Sequence, residues 1–265
     1  MEKVKNYFLN SKNIYETFAP FYYVLKLFGF ASFNLQGKFS AKKLNAIYII
    51  LSFLLYTSWF MVILHLGHQE PEAEKSLLIK HGWHKLHVFE FGFLSSVVIW
   101  NYKKRIEIER CLNLINHFDI LIEKKFKMEK EIHHQRQKST VVGYLIATII
   151  FCIFKFCLSF QILCPDQRDI LHLVSHLSYV IGTELTALLS FQFIFMIYFV
   201  NVRLKVILSK FEENFQNYVP NELDISFEHF VQLHSILNST TKNINSCYLI
   251  QVFYIFYKRF PLFQL

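Results

Sequence analysis

Residues 139–164 read STVVGYLIATIIFCIFKFCLSFQILC, and residues 170–202 read ILHLVSHLSYVIGTELTALLSFQFIFMIYFVNV. The two runs are joined by PDQRD at 165–169, and each contains a single side chain that is charged at neutral pH, Lys155 or Glu184. An α-helix rises about 1.5 Å per residue, so about 20 apolar residues cross a hydrocarbon layer about 30 Å thick. Strands would leave unpaired backbone edges in lipid. The sequence therefore predicts a membrane protein in which these runs form an antiparallel helical hairpin.

The composition also favours lipid over water. Hydrophobic residues make up 53% of the chain and charged residues only 18%, with 30 Phe and 14 Tyr that suit lipid-facing helices and interfacial belts. The formal net charge is +8, but the basic residues lie beside apolar runs and mix with acids. We therefore expect them to face anionic lipid headgroups, and we expect no nucleic-acid partner. No cleaved signal peptide is expected at the N-terminus.

Further apolar runs lie on both sides of this hairpin. Residues 44–64 contain no charged side chain, whereas residues 86–102 are shorter and are interrupted by Glu90. Another run begins within residues 244–265, but Lys258 and the residues after it stop that run at about half the length of a span. The predicted fold class is all-α: a polytopic transmembrane helix bundle with four full spans and the start of a fifth.

The connections between the spans indicate the orientation in the membrane. Lys and Arg cluster in residues 1–43, in residues 103–138 and directly after the fourth span in residues 203–243. The positive-inside rule then places the N-terminus in the cytoplasm. Residues 18–35 are apolar but broken by Pro, Lys and Gly, which predicts an interfacial helix, and both 103–138 and 203–243 are predicted to be helical.

Three ionisable side chains fall inside the predicted spans, namely Glu90, Lys155 and Glu184. An isolated charge in lipid costs roughly 2.5–3.5 kcal/mol or more, so such residues usually face protein or water. With a cytoplasmic N-terminus, all three lie in the outer half of the membrane. Lys155 is therefore expected to pair with Glu184 or Glu90.

Four segments are informative because they occur in a characteristic order along the chain. They are PFYYVLKLFGF at 20–30, CLNLINHFDILIEK at 111–124, FQFIFMIYFVNVRLKVIL at 191–208 and LHSILNSTTKNINSCYLIQVF at 233–253. Together with the predicted topology, they resemble the insect gustatory receptor family, the seven-helix relatives of insect odorant receptors.

This resemblance implies a tetrameric, ligand-gated cation channel whose seventh helix lines the ion pathway. The tail YKRFPLFQL at 257–265 does not look like family sequence. The resemblance therefore also implies a chain that is truncated at its C-terminal end, within the fifth helix.

The resemblance places the ligand pocket in the outer half of the membrane. We therefore expect Glu90, Lys155, Gln161, Tyr179 and Glu184 to border the site for a small tastant. A structural ion pair that fixes the register of two helices remains open as the alternative for the charged residues.

The resemblance thus implies a gustatory receptor subunit in the plasma membrane of insect sensory neurons, in contact with lipid and assembled as a homo- or heterotetramer. The sequence contains no Gly-rich phosphate loop, nucleophile elbow or HExxH motif, so we expect no catalytic residue, metal or cofactor. The alternative is a secondary transporter that uses Lys155, Glu184 and Glu90 as a charged relay. Transporters tend to show internal repeats and broken helices, and these spans show no clear repeat.

Overall fold

The computed structural model describes residues 11–33, 35, 42–68, 91–126, 133–163, 170–216 and 223–253, and the regular structure within these ranges is entirely α-helical. The helices are α1 (Ile14–Leu27), α2 (Lys42–His68), α3 (91–103), α4 (Arg105–Phe126), α5 (His134–Leu163), α6 (Ile170–Gln216), α7 (Leu223–Cys247) and α8 (249–253). The expected all-α class is confirmed for this part of the chain.

Two helices in the described ranges are long and apolar enough to cross a membrane, over His134–Leu158 in α5 and Val180–Glu213 in α6. A shorter apolar stretch, Ala46–Val62, lies in α2. Only 6% of the residues in the most apolar window of α5 are buried, whereas 50% of those in α6 are buried. We infer that α6 is the central helix of the bundle and that α5 lies at its surface.

Helix α1 is a packed element of this bundle. Its face Ile14, Phe18, Phe21 and Leu25 is fully buried, at the i, i+3, i+4 spacing of one helix side. Phe18 lies against Phe199, and Phe21 lies against Phe195 with ring centroids 5.2 Å apart. Since numbers rise along α1 as they fall along α6, the two helices are antiparallel. The predicted interfacial position of α1 in a membrane stays a prediction.

The chain reverses direction directly after α1. The amides of Gly29 and Phe30 donate to the carbonyls of Lys26 and Leu25, at 3.0 and 2.8 Å, and Gly29 has a φ of 77°. This is the Schellman arrangement, in which a left-handed glycine ends a helix. We call residues 14–33 the α1 hairpin and residues 27–28 its tip.

Tyrosines of α2 hold the tip of the α1 hairpin. The Tyr48 hydroxyl lies 2.6 and 2.7 Å from the carbonyl oxygens of Lys26 and Leu27, and the Tyr56 hydroxyl donates to the Phe28 carbonyl at 2.7 Å. Carbonyls at the end of a helix lack partners within that helix. The two hydroxyls therefore satisfy the C-terminal end of α1 and join it to α2.

A Tyr56→Phe substitution is expected to lower the free energy of unfolding by about 1–2 kcal/mol, because it leaves the Phe28 carbonyl without its donor. Thermal unfolding of the purified protein in detergent micelles would measure this loss. Tyr23→Phe is the control, since Tyr23 is 57% exposed. Equal unfolding temperatures for the two variants would contradict the assigned role of the Tyr56 hydroxyl.

The returning arm of the α1 hairpin is joined to α3 and α8 through Asn101. The Asn101 amide nitrogen donates to the Phe30 carbonyl at 3.0 Å, and the Ser32 hydroxyl donates to the Asn101 carbonyl at 2.8 Å. The Gln251 amide nitrogen reaches the side-chain oxygen of Asn101 at 3.3 Å. Asn101 is fully buried, so its hydrogen bonds fix where the hairpin meets these helices.

Candidate functional site

Lys155 and Glu184 form an ion pair between α5 and α6, as the sequence predicts. The Lys155 Nζ atom lies 2.6 Å from Glu184 Oε1, and the Glu184 side chain is only 11% exposed against 34% for Lys155. The ammonium group also lies 4.5 Å from the centroid of the Phe151 ring. A hydrogen-bonded ion pair with a cation–π contact is an arrangement by which a charged side chain is accommodated on an apolar helix.

The positions of the other three predicted ligand-binding side chains lie outside what the structure describes. Glu90 lies outside the described residues. Gln161 belongs to α5 and Tyr179 to α6, but the described part of the structure does not include their side chains. The predicted pairing of Lys155 with Glu184 is confirmed, whereas the ligand-binding role of all five residues stays a prediction.

A cavity of about 480 Å³ lies on another side of α6. It is bordered by the tip of the α1 hairpin and by one face each of α2, α3 and α6. Its lining consists of apolar and aromatic side chains with two serines and a glycine, and none of them is Asp, Glu, Lys, Arg or His. The lining residues are Leu27, Phe28, Ser52, Leu55, Tyr56, Trp59, Phe60, Phe91, Leu94, Ser178, Ile181, Gly182 and Leu185.

This cavity was not predicted from the sequence. One wall of it is the tip of the α1 hairpin, where the chain reverses at Gly29. A glycine directly after an apolar helix was the available signal, since it marks the C′ position of a Schellman motif. The packing of the α1 hairpin, α2, α3 and α6 around one cavity could not be predicted from the sequence of any one of these elements.

A second ion pair, which was not predicted from the sequence either, joins α4 to the C-terminal half of α6. The Arg203 guanidinium donates to both oxygens of Asp119, at 2.7 Å from Nε and 2.5 Å from Nη2, and to the Phe199 carbonyl at 2.8 Å. Arg203 is fully buried. Burial raises the pKa of the Asp119 carboxyl, and the Arg203 guanidinium acts against that rise. Two parallel hydrogen bonds give this pair a fixed geometry.

Further polar contacts connect this pair to Thr17 near the N-terminal end of α1, which we call the base of the α1 hairpin. His134 Nε2 lies 3.5 Å from Asp119 Oδ2, and the Thr17 hydroxyl lies 3.4 Å from His134 Nδ1. Four helices, α1, α4, α5 and α6, therefore meet at one buried polar cluster, which we call the Asp119 cluster and which comprises Thr17, Asp119, His134 and Arg203.

No group of three or more His, Cys, Asp or Glu side chains that could hold a metal ion occurs among the described residues. The apolar helices, the ion pair between two span-length helices and the lined cavity are features of a helical membrane protein that binds small molecules. The sequence profile of the family described as 7tm Chemosensory receptor matches residues 18–262. The chain therefore belongs to the 7tm chemosensory receptor family, which is consistent with the resemblance to insect gustatory receptors.

The match includes residues 257–262, which belong to the tail that looked unlike the family. No curated protein and no solved structure matches the chain. Membership of this family identifies the protein as a chemoreceptor that resides in a membrane and binds small chemical ligands.

Proposed function

We propose that the protein is a taste receptor subunit of the insect gustatory type. It crosses the plasma membrane several times with its N-terminus in the cytoplasm, and it assembles with three identical or related subunits into a ligand-gated, non-selective cation channel. Binding is non-covalent and involves no catalysis. Family membership over residues 18–262 supports the receptor role, and the helices described above support the membrane placement.

The ion pair between Lys155 and Glu184 is the single observation that carries the site assignment. In the proposed orientation, it lies in the outer half of the membrane between two adjacent spans. Charged groups at this depth are costly, and they usually face a polar partner or a water-filled space. A third of the Lys155 side chain is exposed, so part of this side chain remains accessible beside the pair.

A ligand gates such a protein only if it binds one conformation of the bundle more tightly than the other. A polar tastant that competes for Lys155 or Glu184 would weaken the link between α5 and α6 in one of these conformations. Glu90, Gln161 and Tyr179 complete the proposed binding site by their positions in the spans.

The Glu184→Gln substitution tests this site. It removes the charge opposite Lys155 while keeping the side-chain volume, and we expect the concentration for half-maximal current to rise at least about tenfold, or about 1.4 kcal/mol. Whole-cell recording in cells that express the receptor, with a panel of sugars, amino acids and bitter alkaloids, would measure it. Glu213→Gln is the control, because Glu213 is exposed near the cytoplasmic end of α6.

Surface expression has to be measured for each variant. Unchanged half-maximal concentrations at unchanged surface expression would show that the pair only fixes helix register. In that case, the receptor assignment would stand and the site assignment would be lost.

The Lys155–Glu184 contact is also compatible with a secondary transporter, in which the two groups would form part of a charged relay. The two functions differ in their currents. A receptor channel gives a conductance that opens when the ligand is applied, whereas a transporter gives saturable uptake of the ligand without a channel conductance.

A further inference from the structure

We propose that the cavity between the tip of the α1 hairpin, α2, α3 and α6 binds an uncharged, mainly hydrocarbon molecule, at a site distinct from the Lys155–Glu184 pair. The cavity volume of about 480 Å³ is within the range of about 300–1,000 Å³ that is typical of small-molecule pockets.

The cavity and the ion pair lie on different sides of α6. The lining residues Ser178, Ile181, Gly182 and Leu185 follow the i, i+3, i+4, i+7 spacing of a single helix face. Glu184 is absent from the lining, and its direction differs from the centre of that face by about 110°, since each residue turns a helix by about 100°. A ligand in the cavity and a ligand at the ion pair would therefore contact different faces of α6.

The chemistry of the lining selects an uncharged ligand. A charged group in this cavity would lose its hydration and, among the described lining residues, meet no ionised side chain, which is strongly unfavourable. Five aromatic side chains line the walls, among them Phe28 and Trp59, and they offer extensive contact to hydrocarbon. Hydrocarbon burial is therefore the main source of binding free energy.

Two lining hydroxyls limit the polar groups that the ligand can carry. The Tyr56 proton is donated to the Phe28 carbonyl, and the Ser52 proton is donated to the Tyr48 carbonyl at 2.9 Å. Both oxygens retain capacity as acceptors. A ligand with one hydroxyl group, such as an aliphatic alcohol, matches this arrangement.

The exposure of the lining indicates how the ligand enters. Leu55 and Trp59 of α2 are 68% and 42% exposed, whereas Leu94 of α3 and Leu185 of α6 are buried. The cavity therefore opens beside α2 and is closed by α3 and α6. If α2 crosses the membrane, this opening faces lipid, so the occupant enters sideways from the bilayer.

The test is photolabelling of the purified protein with a diazirine derivative of decanol. Light releases nitrogen from the diazirine, and the resulting carbene inserts into a neighbouring C–H or O–H bond, which mass spectrometry then locates. We expect labels on the cavity faces of α2, α3 and α6, and no such labelling by the decanoic acid counterpart when it is ionised.

Leu55→Trp is the cavity-filling variant, and Leu51→Trp is its matched control. Both leucines belong to α2 and are 68% and 58% exposed, but only Leu55 lines the cavity. Filling the space should reduce cavity labelling at least about fivefold in Leu55→Trp and leave it unchanged in Leu51→Trp. A second pair on α6 is Ile181→Trp, which also fills the cavity, with Ile194→Trp as its control.

Labelling that is equally strong on the exposed face of α5, or equal in Leu55→Trp and Leu51→Trp, would overturn the proposal. Stronger labelling after removal of bound phospholipid, reversed by adding phospholipid vesicles, would identify a membrane acyl chain as the natural occupant. Labelling that vesicles leave unchanged would identify a compound from outside. Because no current is measured, failure here leaves the proposed receptor function untouched, and Glu184→Gln should label normally.

Discussion

An Asp119→Ala variant is expected to lose about 3–5 kcal/mol of stability, the largest effect of any single substitution proposed for this protein. Arg203 is fully buried, and both oxygens of Asp119 accept hydrogen bonds from its guanidinium. Arginine cannot lose its proton to escape the resulting unpaired charge. The substitution therefore leaves a buried cation whose partner is gone, which is far costlier than the lost attraction alone.

Thermal unfolding in detergent would measure the effect, with two comparisons. Replacing both partners, as Asp119→Leu with Arg203→Met, should recover most of the loss, because no charge is then left buried. Glu213→Ala should cost less than about 1 kcal/mol, because its ion pair with Lys210 is solvent-exposed. A double variant as unstable as Asp119→Ala would show that packing, rather than the unpaired charge, dominates at this position.

The same variant should disturb the α1 hairpin, because Thr17 and Asp119 both approach His134. The cluster joins the base of the hairpin to α4 and α6, while the tip of the hairpin lines the cavity. A change at the base of α1 can therefore reach the cavity through one short helix.

The sequence indicated Glu184 or Glu90 as the partner of Lys155, but it did not indicate the pair between Asp119 and Arg203, for a physical reason. Lys155 and Glu184 are each the only charged residue in a long apolar run, and this isolation in lipid requires a partner on the neighbouring helix. Arg203 directly follows a span, where a basic residue normally marks the cytoplasmic side, and Asp119 lies in a segment of mixed charge. Nothing local relates two residues that are separated by 84 positions.

The apolar runs were similarly informative about helices and much less so about packing. Hydrophobic length alone predicts helices at residues 139–164 and 170–202. They correspond to α5 and to the N-terminal part of α6. The cavity depends instead on where the α1 hairpin inserts. That position is fixed by hydrogen bonds from Tyr48 and Tyr56, which in the sequence are simply two tyrosines within the uncharged run at 44–64.

Gly29→Ala is expected to destabilise the protein by more than about 2 kcal/mol, from two separate causes. The φ of Gly29 is 77°, a left-handed conformation that costs other residues about 1–2 kcal/mol. An added Cβ would also lie 2.5 Å from both Cβ and Oγ of Ser52, closer than such atoms can approach. The tip of the α1 hairpin must then move away from α2.

Unfolding temperatures of Gly29→Ala in the wild-type and Ser52→Gly backgrounds would separate the two causes. In Ser52→Gly the steric overlap is gone, so only the backbone cost of about 1–2 kcal/mol should remain. Gly143→Ala is the control, because nothing lies near its added Cβ in α5, and it should be neutral or slightly stabilising. Equal losses in both backgrounds would mean that contact with Ser52 does not set the hairpin position. A smaller loss in Ser52→Gly, with reduced cavity labelling only where Ser52 is present, would tie the tip of α1 to the shape of the binding site.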